Sequence, residues 1–198
     1  MRIGEGYLIQ LEETRRRISS LSPEDTARRT GGREIEGGIE LNFLSQEIKI
    51  TFNPYRFMTS LPYSEKLELF ILHYLLFARL VEPRGEWISF REVPSGTFYY
   101  PSFRKRCEEV LERIIPGKEG RWKNLMEEWH AREEDNSYHL QVLPRIPVRI
   151  SYFPPEEELP SRVTILFDST ISLHLPTEDI AIMGELITGF VEERLHHE

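Results

Sequence analysis

The stretch Leu67 to Val81 sets the hardest constraint on how this chain can fold. Leu67, Phe70, Ile71, Tyr74, Leu75 and Ala78 fall on one helical stripe, and Leu69, Leu72, Leu76 and Leu80 fill the remaining faces. A helix that is apolar nearly all round must be covered nearly all round. Ser64 is placed to cap it and Glu65 to complement its positive end, so the pattern predicts a central helix over residues 64–81. Glu68, His73 and Arg79 interrupt the run, and it is too short to cross a bilayer. A core helix is therefore expected and no membrane partner. His73 reads as a core histidine bonded to a carbonyl.

Strand signals lie on both sides of this helix. Ile39, Leu41 and Phe43 alternate with Glu40 and Asn42, and Ile48, Ile50 and Phe52 alternate with Lys49 and Thr51. Gly37-Gly38 offers a hairpin turn before them. Further on, Leu140 and Val142, then Val148, Ile150 and Tyr152, then Val163, Ile165 and Phe167 repeat the alternation. Pro144 and Pro147 argue for an edge or a bulge there. Thr177, Glu178 and Asp179 open a C-terminal helix over about 177–194. Ahead of all this, residues 5–20 and the strong helix start Ser22-Pro23-Glu24-Asp25 form a helical arm that could pack loosely. The grouped strands predict an α+β fold: an antiparallel sheet of about 4–6 strands built from hairpins and packed by the helices 64–81 and 177–194. The 198 residues read as a single domain, with 1–33 the N-terminal arm and 34–194 the core. No internal repeat is visible.

The charge balance narrows the function classes. A net charge of -8 repels nucleic acid and anionic surfaces unless cations cluster, so nucleic acid is an unlikely partner. Cys107 is the only cysteine, which leaves no internal disulfide, no cysteine-rich zinc site and no iron–sulfur cluster to expect. One thiol fits a reducing, cytoplasmic setting, and the first twenty residues hold no apolar run that would read as a signal peptide. The usual phosphate-cradling glycine patterns, a nucleophile elbow and a paired-histidine metal motif are all missing, and no metal site is expected.

The cations do cluster in one place. Residues 84–106 hold Arg84, Arg91, Arg104, Lys105 and Arg106 against only Glu86 and Glu92, interleaved with Trp87, Phe90, Phe98, Tyr99, Tyr100 and Phe103. Guanidinium groups bind carboxylate or phosphate bidentately and stack on rings. Arg145, framed by Pro144 and Pro147, is held as a ligand-positioning group should be. The candidate ligand-binding set is therefore Trp87, Arg91, Tyr99, Tyr100, Arg104 and Arg145, for an anionic small molecule or a protein partner. Tyr99 and Tyr100, read on a strand, point to opposite faces, and Ser102-Phe103-Arg104 reads as a helix start. The competing reading pairs these arginines with Glu92, Glu108 or Asp168 and buries the rings. An enzymatic alternative uses Asp168 and His174 as an acid–base pair, although an Asp at a strand end more often caps a turn. A homodimer face is a further possibility for the rings.

These residues also carry a resemblance. Gly85-Glu86-Trp87-Ile88-Ser89-Phe90-Arg91-Glu92, Tyr99-Tyr100-Pro101, Leu143-Pro144-Arg145-Ile146-Pro147, Leu166-Phe167-Asp168 and Leu175-Pro176-Thr177-Glu178-Asp179 occur in that order. The pattern, over roughly residues 40–192, resembles a prokaryotic domain-of-unknown-function family, number 3786. The resemblance implies an origin among anaerobic bacteria and archaea. It also implies redox or corrinoid surroundings, because some members carry cysteine-rich iron–sulfur motifs. This chain departs from those members, since a single cysteine cannot hold such a cluster. The resemblance supplies no reaction.

Overall fold

The computed structural model describes residues 5–196. Two helices, α1 (Glu5–Ile18) and α2 (Pro23–Thr30), precede a four-stranded antiparallel meander: β1 (Arg33–Ile35), β2 (Gly38–Phe43), β3 (Gln46–Phe52) and β4 (Tyr55–Thr59). Helix α3 (Glu65–Phe77) follows. Then come β5 (Trp87–Ser89), a 3-10 turn (Phe90–Glu92), and helices α4 (Gly96–Arg106), α5 (Glu108–Ile114) and α6 (Glu119–Glu128). Strands β6 (Arg132–Glu134), β7 (Ser137–Leu143), β8 (Ile146–Phe153) and β9 (Arg162–Asp168) complete a second antiparallel sheet, ordered β5-β9-β8-β7-β6. The chain closes with the short α7 (Ile171–His174) and the long α8 (Thr177–His196). The fold is α+β, and its hairpins divide between two sheets instead of forming one.

Helix α3 is the centre the sequence demanded. Leu67, Phe70, Ile71, Leu72, Tyr74 and Leu75 are fully buried. Ser64 accepts the Leu67 amide at 3.1 Å and starts the helix. The helix ends at Phe77, short of Val81, because Arg29 reaches over from α2. Its guanidinium donates to the carbonyls of Ala78 (2.8 Å) and Leu75 (3.2 Å), closing groups that a further turn would have bonded. Phe43 of β2 meets Phe70 of α3 and Phe190 of α8 edge-on, with centroids 5.9 and 6.1 Å apart. The first sheet and the two long helices thus share one core.

The N-terminal helices are not loosely attached. Leu11 and Ile18 of α1 are buried, and Arg15 grips Glu68 of α3 with two bonds of 2.7 Å. The Glu68 carboxylate also accepts the hydroxyls of Tyr55 and Tyr63. Burial pushes its carboxyl up, but the bonds from Arg15, Tyr55 and Tyr63 outweigh this and leave it below the ordinary range.

The second sheet repeats the frame of the first, which sequence inspection did not detect. Arg33, Glu34 and Leu41 correspond to Arg132, Glu133 and Leu140 in strands of matching register, and Phe43, paired with Gln46, corresponds to Leu143, paired with Ile146. Ile35 pairs with Gly38, and Glu134 with Ser137, across two-residue turns. The Phe52 amide bonds the Gly37 carbonyl at 2.8 Å, and the Tyr152 amide bonds the Asn136 carbonyl at 2.9 Å. Gly31 after α2 and His130 after α6 both take a left-handed conformation, with φ of 74° and 54°. One extra residue in the second copy forms a bulge between Gln141 and Leu143, opposite Pro147. The bulge accommodates a proline that has no amide to give; β8 is nevertheless an interior strand, not an edge. The two copies meet where the Leu44 amide bonds the Val142 carbonyl at 3.1 Å.

Candidate functional site

The strand β5 hands the chain to the 3-10 turn carrying Arg91. Glu92 secures that turn by accepting the Ser89 amide (2.7 Å) and hydroxyl (2.8 Å). Helix α4 then starts at Gly96, whose absent side chain lets the helix approach closely. A Cβ there would stand 1.9 Å from the Phe90 carbonyl oxygen. One turn later Tyr100 comes under the guanidinium of Arg91, whose Cζ lies 4.0 Å from the ring centroid. This pair forms one wall of a cleft of about 840 Å³ between α4, α5 and the β8–β9 hairpin. Arg104, Arg113, Phe153 and Arg162 line it further.

The cations of this cleft differ in what they already hold. Arg104 faces Glu108, Glu109 and Glu112 at 3.5, 3.4 and 3.2 Å. Two of these carboxylates are fixed by the sheet. Glu108 accepts the Ile165 amide (3.2 Å) and Glu112 the Val163 amide (3.1 Å), both on the edge of β9 beyond the reach of β5. Tyr100 donates to Glu108 at 2.9 Å. Arg104 therefore neutralises acids that close a sheet edge. Arg91, Arg113 and Arg162 make no ion pair among the described residues, and all three are exposed.

Three of the sequence candidates, Arg91, Tyr100 and Arg104, thus share one cleft; the others lie elsewhere. Trp87 sits on β5 edge-on to His139, with centroids 5.2 Å apart. Tyr99 and Tyr100 belong to helix α4 and not to a strand, and Ser102-Phe103-Arg104 lies inside that helix instead of starting it. Tyr99 consequently faces a separate apolar pocket against α8. Arg145 occupies the β7–β8 turn and is 7% exposed. It donates to the carbonyls of Arg29 (2.7 Å) and Arg28 (3.0 Å) and pairs with Glu82. In its proline frame it is directed to the end of α2.

Asp168 and His174 do not form an open acid–base pair. Asp168 is buried and accepts the amides of Gly85 (2.7 Å), Arg84 (3.0 Å) and Thr170 (3.0 Å) and the Thr170 hydroxyl (2.7 Å). Burial alone pushes its carboxyl up; the four donors pull it below the ordinary range. It caps turns. His174 is fully buried, and burial, with the Arg145 charge, lowers its basicity. His73 does not bond a carbonyl: its Nδ1 lies 2.8 Å from the Asp179 carboxylate. Among the described residues no group of three or more His, Cys, Asp or Glu side chains is arranged to hold a metal ion, and no helix is long and apolar enough to cross a membrane.

Sequence reasoning missed Arg113, Phe153 and Arg162. Arg162 begins β9 and pairs with Phe153 at the end of β8. The available signal was an aromatic residue, Phe153, at a strand end beside Pro154.

These features define an α+β fold in which a hairpin frame is used twice, an apolar helix is covered by the other helices, and an arginine-lined cleft lies beside the second sheet. A family model described as a domain of unknown function, DUF3786, matches residues 22–189, and the chain belongs to that family. No curated protein and no solved structure matches the chain.

Proposed function

We propose that the chain is a non-catalytic binding domain whose arginine-lined cleft holds an anionic small molecule with a planar group. One observation carries the reading: the Arg91 guanidinium sits over the Tyr100 ring at the wall of the cleft, and neither it nor Arg113 nor Arg162 has a carboxylate partner among the described residues. A guanidinium held on a ring is pre-oriented and loses little freedom when it grips a carboxylate or phosphate. The cleft lining carries four arginines, of which Arg104 is spent on Glu108, Glu109 and Glu112 while Arg91, Arg113 and Arg162 are, among the described residues, free to meet an anion, on a chain of net charge -8. Electrostatic focusing in a cleft then favours anions.

The test is a thermal-shift panel of di- and tricarboxylates, sugar phosphates, nucleotides and corrinoids, followed by titration of the best ligand. A saturable ligand should lose at least about tenfold in affinity, the worth of one or two charge-assisted bonds, in an Arg91→Ala, Arg162→Ala double variant. Unchanged affinity in that variant would remove this cleft from consideration.

A protein partner, or a second copy of the chain, is the second reading. It is favoured by Phe98, 80% exposed on α4 beside Tyr99. Sedimentation of wild type against Phe98→Ser tests it: a monomer in both at high concentration removes the homodimer. The same proposal sets the protein in the cytoplasm of an anaerobic prokaryote. The family resemblance and the buried thiol of Cys107 support that setting.

A further inference from the structure

A second cleft, of about 530 Å³, lies between α1, α3 and α8. At its wall the ring of His73 is held by Asp179, with Nδ1 at 2.8 and 3.0 Å from the two carboxylate oxygens. Asp179 is 2% exposed. A carboxylate only accepts, so Nδ1 carries a hydrogen, and in the neutral imidazole the lone pair then falls on Nε2. Among the described residues Nε2 has no hydrogen-bond partner. The hydroxyl of Tyr7, lining the same cleft, is likewise buried without a partner. His73 and Tyr7 thus line one cleft, and neither Nε2 nor the Tyr7 hydroxyl has a hydrogen-bond partner among the described residues.

The surroundings decide what donor fits. Glu13, Glu178 and Asp179 outnumber Arg17 among the charged lining residues. Burial pushes the Tyr7 hydroxyl up to about 12, and the charges of Asp179, Glu65 and Glu185 add to the push, which registers the negative potential there. The ring of Phe77 stacks obliquely on His73, with centroids 5.5 Å apart, and already carries a cation on a face, with Arg17 Cζ 6.0 Å from its centroid. Leu69 and Ile182 supply apolar walls.

We propose that this cleft binds an organic ammonium ion carried on an apolar group, with Nε2 of His73 accepting one ammonium hydrogen, Glu178 pairing with the charge and Phe77 facing it. Asp179 is the positioning residue that fixes the imidazole tautomer. The exposed Arg17 competes for the ring face, so it opposes binding. The site is opposite in sign to the arginine-lined cleft and does not depend on that cleft being occupied.

Phenethylammonium is a suitable probe, titrated calorimetrically into the full chain with phenylacetate as the anionic control. Saturable binding of the ammonium and not of the control is expected. His73→Gln and Glu178→Gln should each weaken it at least about fivefold, the worth of one charge-assisted contact. Arg17→Ala should tighten it, whereas an anion site would lose affinity on that change. Glu178 is exposed, so its variant tests the idea even if His73→Gln unfolds. Absence of saturable ammonium binding at millimolar concentration would overturn the proposal. So would equal binding of phenylacetate, insensitivity to Glu178→Gln, or weakening by Arg17→Ala.

Discussion

The guanidinium of Arg145 donates to the carbonyl of Arg29 at 2.7 Å, and Arg29 in turn donates to the carbonyls that end α3. Two arginines in series thus lock the first hairpin unit's helix, the central helix and the second unit's turn. The Tyr74 hydroxyl completes the lock, donating to Thr30 O at 2.7 Å and accepting the Arg145 amide at 3.2 Å. Arg145→Ala removes the donor to the part-buried carbonyls of Arg28 and Arg29 and should cost about 1–3 kcal/mol, with Glu82, largely exposed, adding little. Urea denaturation measures this, and ligand affinity at the arginine-lined cleft should stay unchanged.

Glu68 is the other buried polar hub. Glu68→Gln keeps the shape but removes the charge that Arg15, Tyr55 and Tyr63 all address. It should lower stability by about 2–4 kcal/mol. Tyr55→Phe, removing one donor of three, should cost only about 1 kcal/mol. Chemical denaturation of both variants ranks the two losses; equal losses would mean that the hydroxyl, not the charge, governs the cluster.

Stability should fall in two stages on acidification. His174 binds its proton less readily in the folded protein than the ordinary 6.5, because of burial and then Arg145. The unfolded chain therefore takes up a proton first, and stability declines as pH drops below about 6.5. Glu68 and Asp168 lie below their ordinary 4.5 and 3.8, so their contributions are present above those values and disappear beneath them. Urea midpoints across pH 3–8 should show a shallow decline and then a steep one. His174→Asn should flatten the shallow stage, leaving the smaller part owed to His139, which shifts in the same direction through burial.

Tyr100 has two separable jobs. Its ring carries Arg91 and its hydroxyl bonds Glu108. Tyr100→Phe should lose about 1 kcal/mol of stability and keep the anion affinity. Tyr100→Ala removes the platform and should weaken binding severalfold through lost orientation of Arg91. Titration of both variants separates the roles.

Gly96→Ala forces a methyl against the Phe90 carbonyl and the Val93 side chain, at 1.9 and 2.8 Å. Overpacking of this kind costs about 1–3 kcal/mol or more. Because Phe90 adjoins Arg91, the strain should also move the guanidinium off Tyr100. A variant that unfolds at wild-type urea concentration would contradict this close approach.

Much of the architecture is legible in the sequence because it is written in periodicity. The apolar run at Leu67–Leu75 and the alternation at Ile48–Phe52 are read directly. The segment around Tyr99-Tyr100-Pro101 misleads for a physical reason: adjacent aromatics favour strands, and Pro101 resembles a first helical residue. In the fold it sits in the second turn of α4, which begins earlier where Gly96 permits contact. Of the site, Arg91, Tyr100 and Arg104 are legible as a cluster of cations and rings. Which arginine is spent is not legible, since the partners of Arg104 and Arg145 come from distant segments. The relationship between His73 and Asp179 is invisible for the same reason, as each residue has a sufficient local explanation. The repeated hairpin frame hides because most of its matched positions share polarity without identity, as with Asn42 and Gln141.

That matched pair of hairpin units gives the molecule an internal control. A change at Leu41 can be set beside the same change at Leu140, within one chain and one solvent. Where both tolerate it, the scaffold is indifferent; where one fails, the demand comes from what that half has since acquired. Gly31 and His130 are the first place to look: both left-handed, one side free of any side chain, the other furnished with an imidazole.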